Sequence, residues 1–270
     1  MAESTCATPE PFTLSTRDYV RFTRGYGLRD WLQAGPDYSR SVEYPLVVRL
    51  LEARAGHRLL DVGSGRRGEL ATLAARAGLD VTAIDPRDDL GVDAPPSAVR
   101  FLRADARELP FEDATFDRIA AVSTIEHIEG GEAATMRELA RLLAPAGRLV
   151  LSVPYNPLKR AEVFIRGGVY GRTGERVFFE RIYDDEWLEN RILGPSGLRE
   201  DERVLLTEPG VRLSRHYYDA RGMPWSALRL RAPVGPLLAL AAPRFFRPSP
   251  AAAFDSDDWT GAAAIVALAA

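Results

Sequence analysis

Short apolar runs separated by polar segments, with no single long apolar stretch, set the pattern of this chain. Leu59-Leu60-Asp61-Val62 reads as a buried strand that ends on Gly63-Ser64-Gly65, and further strands are expected over 81–85, 99–103, 116–122 and 147–153. Helical periodicity lies between them, over about 66–77 and about 131–143, and upstream in Leu46–Ala53. Such alternation specifies an α/β fold, a mostly parallel sheet with helices on both faces. The second half is less regular. Glu180–Asn190 reads as a helix capped by an Asp, with acidic residues that complement its first turn rather than bind metal. Arg203–Thr207 is the expected sixth strand and Ala262–Leu268 the seventh. Residues 1–14 read as disordered, and Arg17–Leu32 as one or two short helices.

Composition narrows the class without naming a function. A chain of 270 residues that is 46% hydrophobic and 27% charged can bury one sizeable core. Its net charge of −3 supplies no basic stripe, so a nucleic-acid substrate is disfavoured. Cys6 is the only cysteine, which removes disulfide frameworks and cysteine-based metal sites and suits a reducing, cytoplasmic setting. No apolar stretch approaches the roughly 18 to 20 residues of a membrane span, so a soluble protein is expected, with no metal.

The candidate chemistry begins where the first strand meets its glycines. Gly63-x-Gly65-x-x-Gly68 lets the backbone turn tightly and approach a ligand, and Asp85 ends the next strand at the reach of a ribose. That much suits a nicotinamide dinucleotide as well as S-adenosylmethionine. Asp61 tips the balance, since a carboxylate there would repel a pyrophosphate but can hold the ammonium of a methionyl group. An NAD(P)-dependent oxidoreductase and a catalytically idle cofactor-binding scaffold are the alternatives.

Four later segments occur in a telling order. They are Phe101–Ala106, Leu109–Ile119, Ser123–Ile128 and Arg141–Pro154. With the glycine loop they resemble the successive motifs of the class I S-adenosylmethionine-dependent methyltransferases over roughly residues 40 to 207. The resemblance implies a Rossmann-like, seven-stranded, mostly parallel sheet with an antiparallel last strand. It implies S-adenosyl-L-methionine as cofactor, with Asp61, Gly63, Ser64 and Gly65 at the methionyl part, Asp85 at the ribose, Asp105 and Ala106 at the adenine and Ser123 near the methionine end. Arg67 stands where relatives often have a third glycine, and either Arg66 or Arg67 is expected to reach the cofactor carboxylate. Residues 1–40 would be an N-terminal extension with cap helices and 41–270 the methyltransferase domain, in which 208–257 is an insertion between the last two strands.

For the acceptor, His127 just after the fourth strand is the candidate base, with His216 in reserve and a packing role for His127 as the competing reading. Tyr155, Asn156, Tyr217 and Tyr218 are candidate substrate contacts. The insertion reads as a lid or pocket wall. A membrane-surface element over 229–247 is the weaker reading, because two prolines interrupt any helix there. Similarity to methyltransferases of glycan and natural-product pathways makes a small-molecule or saccharide hydroxyl the expected acceptor.

Overall fold

The computed structural model describes residues 9–26, 36–94, 98–168, 171–209, 235–250, 254 and 263–270. Five parallel strands, β1 (Arg58–Val62), β2 (Asp80–Asp85), β3 (Arg100–Arg103), β4 (Phe116–Val122) and β5 (Leu143–Pro154), form one half of the main sheet. A separate antiparallel hairpin follows, β6 (Ala161–Gly168) and β7 (Gly171–Ile182). The sheet is completed by β8 (Arg199–Thr207), β9 (Arg247–Pro248) and β10 (Ala263–Ala269), in the order β3-β2-β1-β4-β5-β10-β8-β9. β10 runs antiparallel to both β5 and β8. Seven strands were expected; the eighth is the two-residue β9, which pairs with Leu206 and Thr207 at the sheet edge.

The helices are α1 (Thr16–Thr23), α2 (Arg40–Leu51), α3 (Glu69–Arg76), α4 (Glu132–Leu142), α5 (Asp185–Leu188) and α6 (Gly235–Phe245). Strand periodicity sorts their partners. Leu60, Val62, Ile119 and Ala121 point to the face covered by Met136 and Leu139 of α4. Leu59, Ala120 and Val122 point to the other face, against Val47, Val48 and Leu51 of α2 and Ala71 and Ala74 of α3. The same alternation turns Asp61 inward, so that a carboxyl only 4% exposed lies on the α3 side of the first strand.

Several local expectations need correction. Residues 9–14 are attached rather than disordered: Phe12 N donates to Ala53 O at 2.6 Å and Pro11 bridges to Arg54. Residues 1–8 and 27–35 lie outside the described residues; of the one or two short helices expected over Arg17–Leu32, α1 and a 3-10 turn at Arg24–Tyr26 are described. α1 starts at a capping box between Ser15 and Asp18, buries Tyr19, Val20 and Phe22, and packs against α2 and α6. Glu180–Ile182 end a strand, not begin a helix; the Asp cap is Asp184, which accepts from Trp187 N at 2.8 Å. α5 then continues through a π-turn over Glu189–Leu193 into Gly194–Ser196.

The prolines of residues 229–247 do not prevent a helix. Pro236 occupies the first turn of α6, where no backbone N–H is needed, and Pro243 falls near its end. Ala239 and Ala242 are buried, and α6 packs against α1 and α2. No helix among the described residues is long and apolar enough to cross a membrane.

Candidate functional site

Between β1 and β4 the strand order reverses direction, and the crevice at their carboxyl ends is where ligands bind in such sheets. Gly63 and Gly65 have φ of +72° and +65°, the left-handed region that favours glycine. Gly63 is required twice over, because a Cβ there would sit 2.2 Å from Thr124 Oγ1. That hydroxyl donates to the carbonyl oxygens of Val62 (3.0 Å) or Val122 (3.1 Å), locking the turn after β4 onto the glycine loop. Gly65 N donates to Asp85 Oδ2 at 3.1 Å and Arg87 N to Oδ1 at 3.0 Å, so the loop itself orients the carboxylate that ends β2.

A cleft of about 550 Å³ opens here and is lined by Gly63, Asp85, Asp105, Ala106, Ser123 and His127, among others. Ser64 faces a neighbouring cleft of about 420 Å³ together with Arg40, Tyr44, Arg66 and Arg67. The buried Ser64 hydroxyl has no hydrogen-bond partner among the described residues, as expected of a group that a polar ligand would satisfy. The open face of Gly65, with nothing within 4 Å of its missing Cβ, and the Asp85 carboxylate beside the cleft also fit a nucleoside cofactor.

Carboxyl groups surround this region in contrasting states. Asp105 is held below the usual carboxylate range chiefly by hydrogen bonds from the Arg107 guanidinium. Asp61 is pushed up to about 7, first by burial, with Asp85 adding to the effect and a backbone bond at Ala71 and the charge of Arg40 opposing it. Burial likewise pushes Glu126 up to about 8, and its Oε2 has no partner among the described residues. A carboxyl raised in the fold keeps its proton while the unfolded chain loses it, so each pH unit above the ordinary carboxylate range costs up to about 1.4 kcal/mol per group. In the cofactor-free protein, stability should therefore fall as pH rises from about 5 to 8. Glu126→Gln should flatten that decline, an outcome read from urea midpoints at the two ends of the range. A slope unchanged by the substitution would show that Glu126 ionises normally.

His127 sits in a short 3-10 turn, Ile125–His127, two residues after the strained Ser123, whose φ is +45°. Its Nδ1 lies 2.5 Å from the carbonyl oxygen of Phe179 on β7. A carbonyl can only accept, so Nδ1 carries a hydrogen, and in the neutral ring Nε2 then holds the lone pair. Nε2 is 3.9 Å from Glu126 Oε1.

A family model described as a methyltransferase domain matches residues 60–151. An uncharacterized methyltransferase of Mycobacterium tuberculosis is 30% identical over 208 residues, which is 76% of this chain and 72% of that protein. The chain belongs to the class I S-adenosylmethionine-dependent methyltransferases. Methyltransferase GfsG of Streptomyces halstedii is 34% identical over 125 residues, 43% of this methyltransferase and 41% of GfsG, so the match spans less than half of that relative. The 27-O-demethylrifamycin SV methyltransferase of Amycolatopsis mediterranei is 34% identical over 110 residues, 38% of this chain and 40% of that enzyme. Among solved structures, a SAM-dependent methyltransferase from Methanosarcina mazei superposes with a TM-score of 0.55 over 84% of this chain and 97% of its own. At 14% identity it shares the fold.

Within the methyltransferase the expected site residues separate into groups. Gly63, Asp85, Asp105, Ala106, Ser123 and His127 meet around one cleft. Asp61, Ser64 and Gly65 belong to the loop and its support. Tyr155 and Asn156 do not line that cleft. Tyr155 is buried, its ring edge-on to Phe254, and its hydroxyl donates to Asp185 Oδ1 at 2.9 Å; Asn156 is buried too, and its Oδ1 accepts from Leu158 N at 2.9 Å. His216, Tyr217 and Tyr218 lie outside the described residues.

The two arginines of the loop are already engaged with carboxylates. Arg66 reaches Asp93 at 2.5 Å and Asp89 at 3.2 Å, and Arg67 stands 3.6 Å from Glu69. Sequence reasoning missed Arg40, which donates to Glu43 and, at 2.7 Å, to Ser123 Oγ. A contact between positions 83 residues apart has no local signature.

Proposed function

We propose that this methyltransferase methylates a hydroxyl of a small-molecule or saccharide acceptor, with His127 taking the acceptor proton. The observation that carries the reading is the placement of His127 on the wall of the cofactor cleft with its Nδ1 hydrogen committed to the Phe179 carbonyl. An imidazole held this way offers Nε2 as the base. When bound, S-adenosylmethionine supplies a methyl group already activated on a sulfonium. The protein's part is then to align the acceptor, exclude water and accept one proton.

In this reading Gly63, Ser64 and Gly65 hold the methionyl part, with Asp61 beneath them receiving its ammonium directly or through water. Asp85 accepts from the ribose hydroxyls, Asp105 and the Ala106 backbone meet the adenine, and Ser123 faces the methionine end. The acceptor side is assigned to the insertion 208–257, through His216, Tyr217 and Tyr218. The burial of Ala239 and Ala242 against α1 and α2 favours a pocket wall over a membrane-surface element. The hydroxyl assignment draws on the rifamycin relative, whose name places its methyl group on an oxygen.

Incubation with S-adenosylmethionine and a panel of hydroxylated aglycones and saccharides tests the acceptor class. A methyl ether formed in step with S-adenosylhomocysteine is the expected product. Methylation confined to nitrogen or carbon in the same panel would replace this reading.

A further inference from the structure

We propose that Arg181 is a positioning residue for His127, acting through the β6–β7 hairpin that holds the Phe179 carbonyl against its Nδ1. This rests on the proposed role of His127 as base and names what sets its tautomer. The hairpin pairs with itself and stands outside the main sheet, and a two-stranded ribbon of this kind is marginally stable alone. At its base it is tied down by Asn156 N donating to Tyr183 O at 2.8 Å and Tyr183 N to Pro154 O at 2.9 Å. Phe179 lies farther along β7 and needs its own anchor.

Arg181 supplies one. Its guanidinium is 5% exposed and lies 2.8 Å from Glu132 at the start of α4 and 3.0 Å from Glu162 on β6. It also donates to the Ile128 carbonyl at 3.4 Å, in the residue that follows His127. One planar fork thus joins both strands of the hairpin, the helix α4 and the turn that carries His127. Arg191, 3.3 Å from Glu132, adds a second positive charge, so that two arginines face two carboxylates. Arg181 is two residues from Phe179 on the same strand; moving its fork moves the carbonyl that His127 depends on.

The prediction concerns which ring nitrogen holds the hydrogen, which nitrogen-15 NMR reads directly. A neutral histidine in water favours the Nε2–H form, whereas the contact with Phe179 requires Nδ1–H. The chain has three histidines, and His57 gives an internal reference of the opposite kind, since its Nδ1 accepts from Arg54 N at 3.3 Å. Spectra of the 270-residue chain with S-adenosylhomocysteine at a pH of about 8, above the ordinary imidazole range, should show His127 as Nδ1–H, with His127→Asn identifying its signals. Arg181→Met should shift the tautomer ratio toward Nε2–H by on the order of tenfold, with S-adenosylhomocysteine still bound. Arg181→Lys, which keeps the charge but loses the fork, should fall between.

An Nε2–H His127 in the wild type, or an Arg181→Met protein that keeps the Nδ1–H signature, overturns the proposal. If Arg181→Met does not fold, Glu162→Gln, at a carboxylate 38% exposed, should move the ratio in the same direction, and an unmoved ratio there overturns it equally. The base reading fails by a separate route. Turnover retained in His127→Asn would sink the base while leaving the tautomer result standing.

Discussion

Replacing His127 by alanine is expected to lower turnover by about 10² to 10⁴ while leaving affinity for S-adenosylhomocysteine within roughly threefold. A hydroxyl is a poor nucleophile until its proton has somewhere to go, and in the proposed function the imidazole on the cleft wall takes it. Its orientation comes from the Phe179 carbonyl and from the turn beginning at Ser123, neither of which belongs to the glycine loop. Loss of the ring should therefore spare the cofactor and harm the transfer. The competing reading, in which His127 only packs against the cofactor loop, makes the reverse prediction: weaker cofactor binding with turnover at saturation preserved. Steady-state kinetics beside calorimetry separates the two.

Asp85→Ala is expected to weaken S-adenosylhomocysteine binding by about 1 to 3 kcal/mol, roughly 5- to 150-fold. The carboxylate ends β2 beside the cleft and is aimed by two backbone donors, Gly65 N and Arg87 N. A ribose would add charge-assisted hydrogen bonds to the same oxygens. Part of the loss on substitution comes from the loop, because Gly65 N gives up its acceptor along with the ligand. Asp85→Asn keeps one acceptor oxygen and should lose less. Equal affinities for Asp85→Ala and the wild type would remove Asp85 from the ribose site.

The first half of the chain was readable because its signals are local. Apolar strand runs, glycines at a turn that needs positive φ and Asp85 at a strand end each follow from a few adjacent residues, and β1, β2, β4 and the cleft formed as those residues imply. The β6–β7 hairpin had no clear sequence signal, because Val163-Phe164-Ile165 is a short apolar run without strand alternation. The register shifts between Val163 and Phe164, where Phe179 is the extra residue on β7, and the acidic segment after β7 gives Glu180–Asn190 the pattern of a helix. Tyr155 and Asn156 resembled a substrate motif, yet they follow β5, whose end is turned into the core by the bridge between Tyr155 and Tyr183. The reading of α6 failed because Pro was weighed without its position, since a proline in the first turn costs the helix nothing. Arg40 and Arg181 were invisible for a common reason. Each acts on a residue brought near only by folding, Ser123 for one and Ile128 with Glu132 for the other.

The proposed acceptor wall, 208–257, includes parts that the fold itself needs. Excising all of 208–257 would remove α6, whose Ala239 and Ala242 are buried, and Glu208, which accepts from Tyr38 Oη at 2.5 Å. A smaller replacement confined to 211–233 leaves those contacts in place and still removes His216, Tyr217 and Tyr218.

Calorimetric titration of the 270-residue chain with S-adenosylhomocysteine and, separately, with NADH tests the central claim most directly. The glycines and Asp85 alone suit either ligand; Asp61 and the motifs around Asp105 and Ser123 belong to the methyltransferase reading. Saturable binding of S-adenosylhomocysteine, with no heat from NADH, is the predicted result. Binding of NADH without binding of S-adenosylhomocysteine would contradict it.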